Sequence, residues 1–215
     1  MQDKQLIEIR ATIFWWFSTL LSKELSKEQF NAYINQQGAT LLDQLALEPL
    51  LAKSVRAIKQ SLAKLNIHKH PYIECKVEFS QLFLMDNKNG APPYASIYLS
   101  NEELMFQQAH DEMMALLKKQ GLAVIEEFNE PADHIAIQLD YLGNLVLSSL
   151  NAPDPKRASA DQLEFIQHRV LNWLPLLLDK MSRIDNSGFY QSICQLLYKY
   201  LLLDVSLLKE DINAL

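Results

Sequence analysis

Apolar residues recur along this chain at intervals of three and four, the spacing of one face of an α-helix. Leu6, Ile9, Ile13, Trp16 and Leu20 mark such a face in an opening helix. Ser26 and Gln29 have the spacing of a capping box, and the helix they open is predicted to stop at Gly38, since glycine accepts the left-handed backbone that ends helices. Leu50, Val55, Ile58, Leu62 and Leu65 form the next stripe, with Lys53, Arg56, Lys59 and Lys64 as its wet face. A helix over 72–85 comes after His70-Pro71, with Val77, Leu82 and Leu84 as candidates for burial. Asp86-Asn87-Lys88-Asn89-Gly90 and Pro92-Pro93 then break regular structure.

Ser100 and Glu103 repeat the capping-box spacing and predict a helix that ends at Gly121. Residues 122–134 read as a joint, crowded with Glu126, Glu127, Glu130 and Asp133 around Asn129 and Pro131. Ile135, Leu139, Leu142 and Val146 resume a strict stripe. After a loop at 151–155, a helix over 160–181 is expected to kink at Pro175. Asn186-Ser187-Gly188 punctuates again before a helix over 189–204, and the tail 205–215 is a short helix or frays. No run alternates as a strand would, and glycine is scarce at 5 residues. The expectation is an all-α helical bundle in two parts, 1–121 and 135–215, joined by an acidic hinge at 122–134. No self-similarity at solenoid periods appears.

Charge and composition narrow the function classes. The formal net charge is −6, which disfavours nucleic-acid binding through a basic face and suits a basic peptide partner. Cys75 and Cys194 lie far apart, with no CxxC pair, and read as buried reduced thiols. The longest apolar runs, such as 13–17 and 174–178, fall far below the ~20 residues a bilayer requires. Met1-Gln2-Asp3-Lys4 is not succeeded by the apolar core of a secretory signal. No membrane insertion and a cytoplasmic location are therefore expected.

The five glycines, at 38, 90, 121, 143 and 188, are too scattered for a phosphate-cradling loop. His68 and His70 read as a solvated loop rather than a metal pair, since no carboxylate or cysteine stands nearby. His110-Asp111-Glu112 reads as an exposed polar patch on a helix. Phe14, Trp15, Trp16 and Phe17 read as core, or alternatively as part of an apolar groove for a peptide. Glu130-Pro131-Ala132-Asp133-His134 has the chemistry of a helix start, with proline and acids at the positive end of the dipole. An acid–base enzyme built on Asp133 and His134 is disfavoured, because adjacent residues do not readily form such a unit and no nucleophile or metal set accompanies them. A helical regulator or another peptide-binding module remains the alternative.

Glu130-Pro131-Ala132-Asp133-His134 resembles the E-P-x-D-H signature of the TorD/DmsD family of redox-enzyme maturation chaperones. Three further segments resemble the family in the same order: Glu78-Phe79-Ser80-Gln81-Leu82-Phe83, then Pro93-Tyr94-Ala95-Ser96-Ile97-Tyr98, then His168 with Asn172-Trp173-Leu174-Pro175. The resemblance implies a TorD-like all-α fold and a non-catalytic role. It implies binding to the apo form of an exported molybdoenzyme, nearest to trimethylamine N-oxide reductase, and to its twin-arginine signal peptide. It also implies weak guanine nucleotide binding at most, and otherwise no cofactor or metal.

A twin-arginine peptide needs carboxylates for its guanidinium forks and an apolar groove for the hydrophobic stretch behind them. Glu126, Glu127, Glu130 and Asp133 are the candidates for the first, with Pro131 in the same segment. Leu82, Phe83, Tyr94 and Tyr98 are candidates for the second. His134 is read as holding Asp133 or sensing pH. Loss of the Asp133 carboxylate in Asp133→Ala is expected to weaken peptide binding by roughly 1–3 kcal/mol. A joint between two helical parts also permits domain swapping, so monomer and homodimer are both expected.

Overall fold

A computed structural model describes residues 4–35, 39–124, 128–184 and 188–214. The chain is all-α, as its periodicity predicts. The helices are α1 (Lys4–Ser22), α2 (Lys27–Ile34), α3 (Ala39–Leu45), α4 (Pro49–Asn66), α5 (Pro71–Phe79), α6 (Ala95–Leu99), α7 (Gln108–Lys119), α8 (Ile135–Ser148), α9 (Pro155–Phe165), α10 (Leu174–Met181) and α11 (Phe189–Ala214). Single π-helical turns extend α5 over Ser80–Leu84 and α9 over Ile166–Val170. Among the described residues the only β-type pairing is one antiparallel bridge between Tyr94 and His134.

Contacts group the chain into two compact units, each drawn from separate stretches. One contains Met1–Ser22, Pro93–Leu176 and Asp204–Leu215; the other contains Lys23–Pro92 and Leu177–Leu203.

In the first unit α1 packs along α8. The approach is close because Gly143 has no side chain: a Cβ there would stand 2.5 Å from Trp15 Nε1. Ser18 Oγ donates to the Ala136 carbonyl at 2.8 Å and fixes the register. The buried face of α1 is Ile7, Ala11, Phe14, Phe17 and Leu21, joined by Ile13 and Leu20. The predicted stripe is rotated from this face, and Leu6 and Ile9 are exposed. The buried side of the helix also carries Arg10, a charged residue that lies within the core. Its Nε and Nη2 donate to the two carboxylate oxygens of Asp204 at 2.7 and 2.9 Å, and Nη2 also reaches Gln162 Oε1 at 2.9 Å. This forked pairing satisfies both buried charges. The α8 stripe, Ile135, Leu139, Leu142 and Val146, is buried throughout as predicted.

The second unit is built on α4, which buries Leu51, Val55, Ile58, Leu62 and Leu65; Leu50 is exposed. The Ser26–Gln29 capping box is present in full. Its helix ends at Ile34, with Asn35 as the cap, and Gly38 lies outside the described residues. Phe79, Phe83 and Tyr190 meet edge to face, with centroids 5.1–5.7 Å apart. Val77 and Leu84 are exposed, contrary to expectation, while Leu82 is buried. Leu84 closes the π turn, whose added residue rotates the helix face there.

Three boundaries also differ. Ser100 and Glu103 do not open a helix. Ser100 caps the C-terminus of α6, its hydroxyl accepts from Glu102 N at 3.1 Å, and Glu103 lies in the left-handed region at φ 52°. A local serine turn outcompetes the helix start, which falls at Gln108. The other end of that helix meets its expectation, with Gly121 at φ 68° just beyond it. Pro175 does not kink a long helix; it sits in the first turn of α10, where its missing N–H is no loss. The tail is not frayed, since α11 continues to Ala214.

Candidate functional site

The segment before α8 is tied to the segment before α6 along its length. The Ala95 amide donates to the Asp133 carbonyl at 3.3 Å, and the Ile135 amide donates to the Pro93 carbonyl at 2.9 Å. These bonds flank the Tyr94–His134 bridge. Side chains complete the frame. Asp133 Oδ2 accepts from the Ser96 amide at 2.6 Å, which satisfies an otherwise orphan donor in the first turn of α6. His134 is the N-cap of α8, its Nδ1 accepting from the Ala136 amide at 3.1 Å. Tyr94 donates its hydroxyl to Glu130 Oε2 at 2.7 Å. The His134 ring meets Tyr94 and Phe128 edge to face, at 5.0 and 5.3 Å.

Burial assigns roles within this frame. Asp133 is fully buried and His134 nearly so, whereas Glu130 is half-exposed. Burial drives the His134 imidazole down to about 3, because a charged ring cannot be solvated there. The ring is therefore neutral throughout the range in which an ordinary histidine switches, so the pH-sensing role read from the sequence does not fit it. Burial first, and then the Glu130 carboxylate, raise the Tyr94 hydroxyl and keep it a donor. Asp133 Oδ1 has no hydrogen-bond partner and lies 4.0 Å from His110 Nδ1.

His110 is not the exposed patch that its sequence suggests. Its Nδ1 accepts from the Ala132 amide at 3.0 Å, which puts the ring proton on Nε2. Phe106 packs edge-on against the ring at 5.0 Å. Spacing carries a signal for this position: His110 lies three residues before Met113 and seven before Leu117, both buried. Glu112 is also not simply solvated, since it forms an ion pair with Arg169.

The structure thus gathers Tyr94, Glu130, Pro131, Asp133 and His134 into one frame. Tyr98 lies one turn further along α6, stacked on Trp173 at 5.5 Å. Trp173 in turn donates to Gln138 Oε1 at 3.1 Å and to the Arg169 carbonyl at 2.9 Å. Leu82 and Phe83 belong to the other unit and are buried in its core, where they offer no surface to a peptide. The same motif supplies a second tie there: Glu78 Oε1 accepts from the Tyr190 amide at 2.9 Å. Glu126 and Glu127 lie outside the described residues. Among the described residues no group of three histidines, cysteines or carboxylates is placed to hold a metal. Likewise, none of the described helices is long and apolar enough to cross a membrane.

These features define an all-helical protein whose buried polar residues build the scaffold. Comparison with known proteins gives the family. The profile of the family described as nitrate reductase delta subunit matches residues 44–179. The chain is similar over almost its whole length to proteins named Chaperone protein TorD. The one from Ferrimonas balearica is 34% identical, covering 99% of this chain and 95% of that protein. The one from Vibrio vulnificus is 39% identical, covering 95% and 97%, and the one from Aliivibrio salmonicida 38%, covering 94% and 95%. The chain belongs to the TorD family of redox-enzyme maturation chaperones. Chaperone names denote a non-catalytic role, and the chain is not an enzyme.

Proposed function

We propose that this chain is a cytoplasmic chaperone for the apo form of an exported molybdoenzyme, trimethylamine N-oxide reductase. It binds the client's twin-arginine signal peptide and keeps the enzyme competent for insertion of the molybdenum cofactor. The observation that carries this reading is the Tyr94–Glu130 pair. A half-exposed carboxylate is held in place by a hydroxyl that is itself fixed to a buried frame. Such a carboxylate is preorganised for a guanidinium fork, so little rotamer freedom remains to be lost on binding. Glu126 and Glu127 offer the same chemistry in the sequence. Asp133, by contrast, acts through position: its carboxylate holds α6 in place.

The test is calorimetric titration of the full chain with the signal peptide of a trimethylamine N-oxide reductase, beside a peptide in which both arginines are lysines. Micromolar binding that weakens for the lysine peptide and weakens with salt is expected, because the fork geometry is lost in the first case and exposed charges are screened in the second. Absence of binding to either peptide would remove signal-peptide recognition from the reading.

The same reading includes exchange of helical parts between two copies, with monomer and homodimer both accessible. Light scattering across a concentration and pH series tests it. A single monomeric mass under every condition would count against it.

A further inference from the structure

The first unit contains a half-open cavity of about 690 Å³, separate from the Tyr94–Glu130 pair. It lies between α6, α7, α8 and the end of α9, and its walls are polar: Ser96, Gln107, Glu112, Gln138, Glu164 and Arg169 all contribute. Glu112 pairs with Arg169, which leaves Glu164 as the remaining carboxylate of a lining that also includes His168. Glu164 is exposed and makes no ion pair among the described residues.

The base of the cavity holds a less usual group. Gln138 is only 1% exposed, yet it lines the cavity. Its orientation is fixed, because Trp173 Nε1 donates to Oε1 at 3.1 Å, and an indole N–H cannot accept. The side-chain NH2 is therefore the group left over, and it has no acceptor among the described residues. A buried amide with unmet donors costs free energy that a ligand acceptor would recover.

The loop between α6 and α7 forms part of the rim. Asn101 and Gln107 line the cavity, and between them Leu104, Met105 and Phe106 are exposed, Phe106 at 61%. Glu103 and Phe106 hold φ values of 52° and 59°. Non-glycine residues adopt that backbone at a cost, and such costs gather where a loop must present particular side chains. The combination is an acidic cavity with a buried donor, next to an apolar loop.

We propose that this cavity seats an arginine side chain of the client's signal peptide. The guanidinium forks onto Glu164, the Gln138 NH2 donates to a peptide carbonyl beside it, and the apolar residues next in the peptide lie on Leu104, Met105 and Phe106. This deepens the signal-peptide reading and rests on it. Charge complementarity selects the occupant: a basic side chain answers Glu164, a backbone carbonyl answers Gln138, and an apolar stretch answers the loop.

The experiment is a titration of the full chain and its Glu164→Gln, Glu164→Lys and Phe106→Ser variants with the twin-arginine peptide. It is repeated with peptides in which each arginine in turn is glutamine. Glu164 and Phe106 are exposed, so their variants keep the fold, which circular dichroism checks. Glu164→Gln is expected to weaken binding roughly tenfold and Glu164→Lys further, the scale of a lost charge-assisted pair. Phe106→Ser is expected to weaken it several-fold. For one of the two arginines, the loss from Glu164→Gln should vanish when that arginine is already glutamine, the mark of direct coupling. If the unaltered chain binds and all three variants bind equally well, the cavity assignment is overturned and signal-peptide recognition stands. If the unaltered chain does not bind, both fall together.

Discussion

The two units solve one problem with opposite chemistry. In each, a buried ionisable side chain from a family motif accepts from a backbone amide at the start of a helix. In the first unit His134 caps α8 with a ring nitrogen that must be neutral to accept, and burial pushes it down to about 3. In the second, Glu78 accepts from the Tyr190 amide at the start of α11, and burial outweighs its backbone bonds to push it up to about 7. Desolvation favours the neutral form in both cases. For a base this lowers the midpoint; for an acid it raises it. The comparison shows that these motif residues are internal ties before they are anything else. It also shows that the two units respond to pH from opposite sides.

The largest expected effect is the acid limb of the first unit. The folded state prefers neutral His134, with a midpoint near 3 against an ordinary 6.5. The unfolded chain therefore takes up the extra proton first as pH falls through 6.5, and stability declines from there toward 3. At about 1.36 kcal/mol per pH unit, the contribution approaches roughly 5 kcal/mol at the acid end. His134→Asn keeps a capping acceptor and removes the titration. Urea unfolding from pH 7 to pH 4 should show the gap between the variant and the unaltered chain narrowing or reversing as pH falls. Parallel curves over that range would mean that His134 is not held neutral.

Glu78 gives the mirror image on a smaller scale. Its folded midpoint, near 7, lies above the ordinary 4.5. The unfolded chain loses this proton first, so stability declines as pH rises from 4.5 to about 7 and is then constant. The full span is about 3 kcal/mol by the same conversion. Glu78→Gln keeps an acceptor for the Tyr190 amide and stays neutral. It should gain on the unaltered chain steadily between pH 4.5 and 7, measured by the same unfolding series. A gap independent of pH would show that Glu78 is charged in the folded state and stabilised by its amide donors.

Local rules account for much of the fold and for little of the site. The α8 stripe, the Ser26–Gln29 box and the Gly121 stop each depend on residues within a few positions of one another, and all are present. The differences have tertiary causes. Arg10 does not stand out in the sequence, because a lone arginine on a helix is usually solvated; its partners Asp204 and Gln162 are 194 and 152 residues away. Asp133 reads as a peptide ligand because a carboxylate in an acidic stretch looks exposed. Its actual partner is a backbone amide at Ser96, which no side-chain pattern announces. The resemblance to known motifs picks out the two segments that pair at the Tyr94–His134 bridge, yet it does not say which of their residues face inward. Glu130 and Asp133 are three residues apart, yet the first is half-exposed and the second is fully buried on the Ser96 amide.

The smallest effect bears on that separation most directly. Tyr94→Phe removes one hydroxyl and leaves the ring, with its edge contact to His134, in place. The lost bond is to a charged but half-exposed partner, so solvent can replace much of it. A stability loss of about 1 kcal/mol or less is expected, read from the urea midpoint. The pH limbs governed by His134 and Glu78 should be unchanged, because neither group bonds to this hydroxyl. Peptide affinity should fall by more than stability does if the hydroxyl serves to preorganise Glu130, since the freed carboxylate must then be ordered at each binding event. A full stability loss with unaltered affinity would place Tyr94 among the inward ties, beside Asp133, and leave Glu130 to act without it.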